Sequence, residues 1–160
     1  MNKLFLNLKN KNIAIASVIA IFFMIDRYLK LAALHLANGE PIKLIGNIFS
    51  FNFTANYYLA FSLPLSGPLV NSLIILIIIG LIYYILLNRR DSAKRWEVII
   101  LTFIIFGAIS NILDRLIYGY VIDYLELKYF TVFNLADVMI SGGAIILLTK
   151  TIKLNKKTAA

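Results

Sequence analysis

Four long apolar stretches, separated by more polar connections, dominate the chain. They cover about residues 13–36, 69–87, 96–117 and 133–150. A helix needs about 20 mostly apolar residues to cross the hydrocarbon core of a bilayer, and each stretch has or approaches that length. The pattern therefore predicts a membrane protein of the all-α class with four transmembrane helices.

The first stretch follows a basic segment, as the apolar region of a secretory signal peptide also does. However, no pair of small residues with cleavage-site spacing closes this stretch, and it continues past Asp26 to Ala37. We therefore expect it to be retained as a membrane anchor.

The connection at about 37–68 is too long for a simple turn. Within it, residues 49–54 alternate between apolar and polar side chains, as a half-buried strand does, and residues 121–130 resemble a second strand. We expect a small β-sheet on the outer membrane surface, beside an interfacial belt of tyrosines. An ordinary loop with aromatic anchors fits the pattern equally well. The belt residues are Tyr57, Tyr58, Tyr118, Tyr120 and Tyr124.

The composition limits the possible chemistry. Hydrophobic residues make up 61% of the 160 residues, against about 45–50% in soluble domains, and no linker-like segment divides the chain, so we expect a single membrane domain over 1–160. The chain has no cysteine and one histidine, which excludes disulfides, cysteine nucleophiles and typical zinc sites. We therefore expect no metal and no cofactor, and catalysis by carboxylates.

The positive charge is concentrated between and outside the apolar stretches. Because basic short loops stay in the cytoplasm, this bias predicts that both termini are cytoplasmic and that connections 37–68 and 118–132 face outward. A nucleic-acid partner is not expected, since the charges form no basic face on a folded domain. Eleven of the 16 Lys and Arg residues lie in three segments: Lys3, Lys9, Lys11; Arg89, Arg90, Lys94, Arg95; and Lys150, Lys153, Lys156, Lys157.

Four of the eight acidic residues lie at similar predicted depth, near the outer leaflet. A charged carboxylate at the centre of a membrane helix costs about 2.5–3.5 kcal/mol on insertion scales, so such groups usually pair or line a wet cavity. The other four acidic residues are expected to be solvated in loops or at the ends of the helices. The four near the outer leaflet are Asp26, Asp114, Asp123 and Asp137.

Local cations separate these four carboxylates into two groups. Asp26 has Lys30 one helical turn away, and Asp114 is followed by Arg115, so structural ion pairs are the simplest interpretation of both. Asp123 and Asp137 have no cation at helical spacing. Two such carboxylates brought together would share one proton and support aspartyl-protease chemistry. From the residues alone, this pair is one interpretation among several.

The motifs around these carboxylates resemble the bacterial lipoprotein signal peptidases, the signal peptidase II family, over nearly the whole chain. Residues 26–30 resemble the family's Asp-x-x-x-Lys, and residues 56–61 its Asn-x-Gly-x-Ala-Phe. Residues 111–124 resemble Asn-x-x-Asp-Arg-x-x-x-Gly-x-Val-x-Asp-Phe, and residues 133–137 resemble Phe-Asn-x-Ala-Asp. The third match has too many fixed positions to arise by chance.

The resemblance implies an intramembrane aspartyl endopeptidase with Asp123 and Asp137 as its catalytic pair. By the same resemblance, it cuts diacylglyceryl-modified prolipoproteins on the amino side of the lipidated cysteine, in the bacterial cytoplasmic (inner) membrane with the active site towards the outer leaflet. Membrane lipids are expected contacts, and a monomer is expected. The residues with implied roles in substrate binding or support are Asn56, Asn111, Arg115, Asn134, Asp26, Lys30 and Asp114.

The chain departs from the family pattern at four positions. Tyr58 replaces a usual glycine, Ser110 a common glycine, Tyr124 a phenylalanine, and Arg27 a frequent glutamine. We expect these changes to affect substrate range rather than the chemistry.

Two other functions remain open. A proton-coupled transporter also uses intramembrane carboxylates, although the repeated halves and broken helices typical of transporters are missing from the sequence. A non-catalytic membrane scaffold would need no carboxylate pair.

Overall fold

The computed structural model describes residues 2–37, 39–58 and 67–158, with side chains described over 12–37, 39–58 and 67–153. The last three residues of the 56–61 motif lie outside the described residues. Two strands follow the first helix and two strands follow the third. The elements are α1 (Asn2–His35), β1 (Ile42–Ile45), β2 (Phe49–Asn56), α2 (Pro68–Asn88), α3 (Arg95–Tyr118), β3 (Val121–Leu127), β4 (Thr131–Phe133) and α4 (Leu135–Thr158).

Within the described residues, four helices are long and apolar enough to cross a membrane, which confirms the predicted number of spans. The membrane-spanning parts are Asn12–His35, Pro68–Asn88, Arg95–Tyr118 and Leu135–Lys153. Their apolar side chains are largely exposed, as expected of helices that contact lipid. The fourth helix, predicted from about residue 133, begins at Leu135, because Phe133 pairs with Leu125 as part of β4.

The polar connections form one antiparallel sheet with the strand order β1-β2-β3-β4. The strands predicted at 49–54 and within 121–130 are confirmed as β2 and β3, so the loop alternative is wrong. Strand β1 was not predicted, because all four of its residues are exposed and it lacks the alternation of a half-buried strand. Thr54 pairs with Asp123 in the sheet, which places Asp123 beside the end of β2.

Helix α3 is central and contacts the other three helices. Edge-to-face aromatic pairs join it to α1, with ring centroids 5.5 Å apart for Phe22 and Phe103 and 5.7 Å apart for Phe23 and Phe106. After α3 the chain turns through Gly119, whose φ of 82° is in the left-handed region that favours glycine. This turn leads directly into β3 and holds Asp123 close to the end of α3.

Helices α3 and α4 pack tightly at Gly107. A Cβ atom there would lie 2.7 Å from the carbonyl oxygen of Ala136 and 3.0 Å from the Cβ of Met139. We predict that Gly107→Ala forces the helices apart and lowers stability by about 1–3 kcal/mol, measured as the unfolding temperature in detergent. Gly142→Ala is the matched control, since no atom lies within 4 Å of its added Cβ. Equal effects of the two variants would contradict the prediction.

Candidate active site

Asp123 lies on β3 and is 1% exposed. Its carboxylate accepts hydrogen bonds from two asparagine amides, at 2.6 Å from Asn134 Nδ2 and at 2.8 Å from Asn56 Nδ2. Burial, and to a smaller extent the charge of Asp137, raise the pKa of Asp123 to about 7. The hydrogen bonds from the two amides act in the opposite direction and lower it. Asp123 therefore keeps its proton to much higher pH than an ordinary aspartate.

Asp137 lies in the first turn of α4, where Asn134 is the N-cap residue. The Asn134 side chain accepts a hydrogen bond from the Asp137 amide at 2.8 Å, and Asp137 Oδ2 accepts from the Asn134 amide at 3.2 Å. This reciprocal pair is a capping box, which satisfies two of the free N–H groups at the helix start. Asn134 therefore contacts both carboxylates and brings Asp123 and Asp137 to one place.

A buried ion network lies against this pair. Lys30 Nζ is 2.7 Å from Asp114 Oδ2 and 3.3 Å from Asp26 Oδ2, and all three side chains are fully buried. Lys30 also donates to Asn111 Oδ1 at 2.6 Å, and the Asn111 amide donates to Asp137 Oδ1 at 2.8 Å. Lys30 thus orients Asn111 so that its NH₂ group faces Asp137.

A cavity of about 270 Å³ opens beside these groups. Its walls are mainly isoleucine and leucine side chains of α2, α3 and α4. Its polar lining consists of Asn56, Asn111, Arg115 and Asp137. Asp137 therefore lies beside a mainly apolar space. Among the described residues, no group of three or more His, Cys, Asp or Glu side chains is placed to hold a metal ion.

The family model described as Signal peptidase (SPase) II matches residues 18–153 of the chain. The chain belongs to the signal peptidase II family. Because this is a family of peptidases, the enzyme prediction is confirmed, and the transporter and scaffold interpretations are wrong.

Curated relatives agree with this assignment. The chain is 36% identical over 137 residues to the lipoprotein signal peptidase of Clostridium novyi (strain NT), covering 81% of this chain and 91% of the relative. It is 34% identical to the lipoprotein signal peptidase of Clostridium tetani (strain Massachusetts / E88), covering 85% and 90% respectively.

The fold is also similar to that of a bacterial membrane enzyme whose structure was determined at 2.3 Å resolution by the in meso method. The TM-score is 0.70 at 18% sequence identity, with 88% of each chain covered. At this identity the likeness supports the fold alone.

Within this signal peptidase II fold, one expected ion pair is wrong. Asp114 pairs with Arg27 and Lys30 of α1 rather than with its neighbour Arg115. Arg115 instead donates to the backbone oxygen of Tyr58 at 2.9 Å. The reason is packing: α1 lies against the buried side of α3 that carries Asp114, whereas Arg115 points to the cavity. The expected pairing of Asp26 with Lys30 is present, as part of the larger network.

The structure also adds three side chains that the sequence analysis had not placed near the signal peptidase II site. Arg27 donates to Asp114 and to the Ser110 carbonyl oxygen. Ser110 Oγ donates to Asp26 Oδ2 at 2.5 Å, and Tyr124 Oη donates to Asp26 Oδ1 at 2.9 Å. All three are positions at which the chain departs from the family pattern. Their shared departure from the family pattern was the one signal that the sequence offered for these three residues. Their contacts with one another arise from the packing of α1 on α3 and β3, which the sequence does not show.

Proposed function

We propose that this member of the signal peptidase II family removes the signal peptides of prolipoproteins by aspartyl chemistry, with Asp123 and Asp137 as the catalytic pair. The observation that carries the proposal is the position of Asn134, which hydrogen-bonds to both carboxylates beside the apolar cavity. Convergence of two carboxylates at a site that accepts an apolar chain is the arrangement that this chemistry requires.

The two carboxylates differ in their surroundings, and this suggests their roles. Asp123 is still partly protonated at neutral pH, because its pKa is about 7. Asp137 also accepts from two amide groups, those of Asn111 and Asn134, but unlike Asp123 it lies at a helix N-terminus, which favours a negative charge. We assign Asp123 as the general acid and Asp137 as the general base.

The proposed reaction is hydrolysis of one peptide bond. Asp137 takes a proton from a water molecule, whose oxygen attacks the scissile carbonyl carbon, while Asp123 donates its proton to the carbonyl oxygen. When the tetrahedral intermediate collapses, the C–N bond breaks and the proton now on Asp137 passes to the leaving nitrogen. The gem-diol proton returns to Asp123, so the pair regains its starting charge.

Asn56, Asn111, Arg115 and Asn134 are proposed to hold the scissile segment or to orient the carboxylates. Each contacts a catalytic carboxylate or lines the cavity. Asp26, Lys30 and Asp114 are proposed to support them from the buried network.

The proposed substrates are prolipoproteins that carry diacylglycerol on the cysteine that follows the cut. The names of the curated relatives and the apolar cavity support this class of substrate. The bias of Lys and Arg supports cytoplasmic termini and an active site towards the outer leaflet of the bacterial inner membrane. We propose a monomer with a single peptidase domain over 1–160.

The proposed function is tested by incubating detergent-purified enzyme with a synthetic prolipoprotein peptide that carries diacylglycerol on its cysteine. The matched control peptide has the same sequence without the lipid. We expect cleavage on the amino side of the lipidated cysteine, much slower cleavage of the control peptide, and no effect of a chelator. Failure of the folded enzyme to cut the lipidated peptide would refute the proposed function.

The pKa of Asp123 predicts a pH dependence. If Asp123 is the general acid, kcat/KM falls as the pH rises above about 7, because the carboxyl group of the free enzyme loses the proton it must donate. The Asn56 hydrogen bond stabilises the ionised form and lowers this pKa, so Asn56→Ala should move the alkaline limb of the pH profile to higher pH.

Profiles of kcat/KM between about pH 5 and 9 measure this shift. Asn52→Ala is the control, because Asn52 is on the same strand but donates to Glu126. If the alkaline limb of the Asn56→Ala profile stays in place or moves to lower pH, the assignment of Asp123 as the general acid is contradicted.

A further inference from the structure

The start of α4 has four backbone N–H groups without a partner in the helix, as every α-helix does. In this protein each of them is bound by a side chain. The capping box of Asn134 and Asp137 satisfies two of them. The other two are satisfied from outside the helix: the Leu135 amide donates to Tyr124 Oη at 3.0 Å, and the Ala136 amide donates to Asp26 Oδ1 at 3.0 Å.

Tyr124 is the group that joins the two halves of the active site. It follows Asp123 directly on β3, and its hydroxyl accepts from the residue that begins α4, two positions before Asp137. The same hydroxyl donates to Asp26 Oδ1 at 2.9 Å. One hydroxyl therefore links the strand that carries Asp123, the helix that carries Asp137 and the buried carboxylate on α1.

The surroundings of Tyr124 hold it in this position. The side chain is fully buried, and its ring packs against Phe51 with ring centroids 5.5 Å apart. Burial and the nearby charge of Asp26 raise the pKa of Tyr124, so the hydroxyl stays protonated and remains a donor. A buried ring with both its donor and its acceptor engaged has little freedom to move.

We propose that Tyr124 is a positioning residue, whose hydroxyl sets the placement of Asp137 relative to Asp123 by tying the first turn of α4 to β3. The inference rests on the proposed function of the two aspartates. It goes beyond that function because, among the described residues, the Tyr124 hydroxyl donates to neither catalytic carboxylate and Tyr124 is absent from the cavity lining. The Tyr124 hydroxyl is proposed to fix the geometry of the two carboxylates and not to bind substrate. Its removal should therefore lower kcat and leave KM unchanged.

Tyr124→Phe tests the proposal, because it keeps the ring and removes only the hydroxyl. Misplacement of catalytic groups is costly, and we expect kcat to fall about tenfold, with KM within about twofold of wild type. Tyr120→Phe is the matched control. Tyr120 is a neighbouring tyrosine whose ring packs against Tyr57 and Tyr118, and in the described part of the chain its hydroxyl has no hydrogen-bond partner.

A second pair of variants breaks the same link from the helix side. Leu135→Pro removes the N–H that Tyr124 accepts, at the first helical position, where proline is tolerated. Leu135→Ala is its control, since it shortens the side chain and keeps the N–H. We expect a larger loss of kcat in Leu135→Pro than in Leu135→Ala, again without a change in KM. This pair tests the link even if Tyr124→Phe does not fold.

Activities are compared below the unfolding temperature of each variant, together with amide hydrogen exchange of the segment 135–137. Faster exchange and lower kcat in Tyr124→Phe, with Tyr120→Phe like wild type, are the expected results. A kcat within twofold of wild type for Tyr124→Phe, or a rise in KM alone, would overturn the positioning role. The proposed function would stand in that case, provided that wild type cleaves and the Asp123 and Asp137 variants do not. An inactive wild type would overturn both.

Discussion

Asp123→Asn and Asp137→Asn should each lower kcat for the lipidated prolipoprotein peptide about a thousandfold or more. Asparagine keeps the size of aspartate and one acceptor oxygen, but it can neither take up nor release the proton. Asp123→Asn removes the group assigned as acid, and Asp137→Asn removes the group assigned as base. Initial rates with detergent-purified protein at saturating peptide measure the effect.

The double variant distinguishes a shared mechanism from two independent effects. Residues that act as one unit show strongly non-additive losses, so Asp123→Asn combined with Asp137→Asn should be hardly slower than either single variant.

Glu126→Gln is the matched control for the loss of a carboxylate. Glu126 lies on the same strand as Asp123, but it accepts hydrogen bonds from Ser50 and Asn52, away from the cavity. Its replacement should leave kcat near that of wild type. Substantial activity in either single aspartate variant, with unfolding temperatures like wild type, would remove that residue from the catalytic pair.

Lys30→Met should lower the free energy of unfolding by about 3–5 kcal/mol, the usual cost of removing one partner of a buried ion pair. Lys30 is the cation that contacts both Asp26 and Asp114, and all three side chains are fully buried. Methionine fills much of the same volume but leaves Asp26 with no cation within salt-bridge distance among the described residues. Unfolding in a detergent by heat or denaturant measures the loss.

The same substitution should also lower activity in the protein that remains folded. Lys30 donates to Asn111 Oδ1, and the opposite end of that amide donates to Asp137. Without Lys30 the amide has no charged group to fix its orientation, and Asp137 loses a fixed donor. A lower kcat below the unfolding temperature would therefore accompany the lower stability.

Two further variants check this explanation. Lys43→Met replaces an exposed lysine on β1 and should have little effect. Asp26→Asn added to Lys30→Met should recover part of the lost stability, because it neutralises the carboxylate left without its cation. If the double variant has a lower free energy of unfolding than Lys30→Met, the loss in Lys30→Met does not arise from the uncompensated charge of Asp26.

The membrane helices were the most predictable part of the fold. Transfer of an apolar side chain into lipid depends on that residue alone and adds up along a segment, so a run of apolar residues identifies a span without knowledge of its neighbours. Strands β2 and β3 were predictable for a related reason, since the alternation of apolar and polar residues follows from a sheet with one buried face. Strand β1 lacks that alternation and was missed.

The choice of Asp123 and Asp137 as the candidate pair was accessible from local sequence, because no cation lies at helical spacing from either. Local spacing was a poorer guide to the other carboxylates. It suggested Arg115 as the partner of Asp114, whereas Arg27 and Lys30 occupy that role from another helix. A buried carboxylate pairs with whichever cation packing brings to it, and that cation need not be close in sequence.

The sequence by itself determined the number of membrane helices, and it indicated Asp123 and Asp137 as the candidate pair, because both inferences depend on residue types and on short-range patterns. Only the tertiary structure decided how the carboxylates are held. The capping box of Asn134 and Asp137 is local in sequence, whereas the contacts of Tyr124 with Leu135 and of Asp26 with Ala136 join segments far apart in the chain. Such contacts depend on how α1, β3 and α4 pack around α3, and that packing cannot be predicted from short-range sequence patterns.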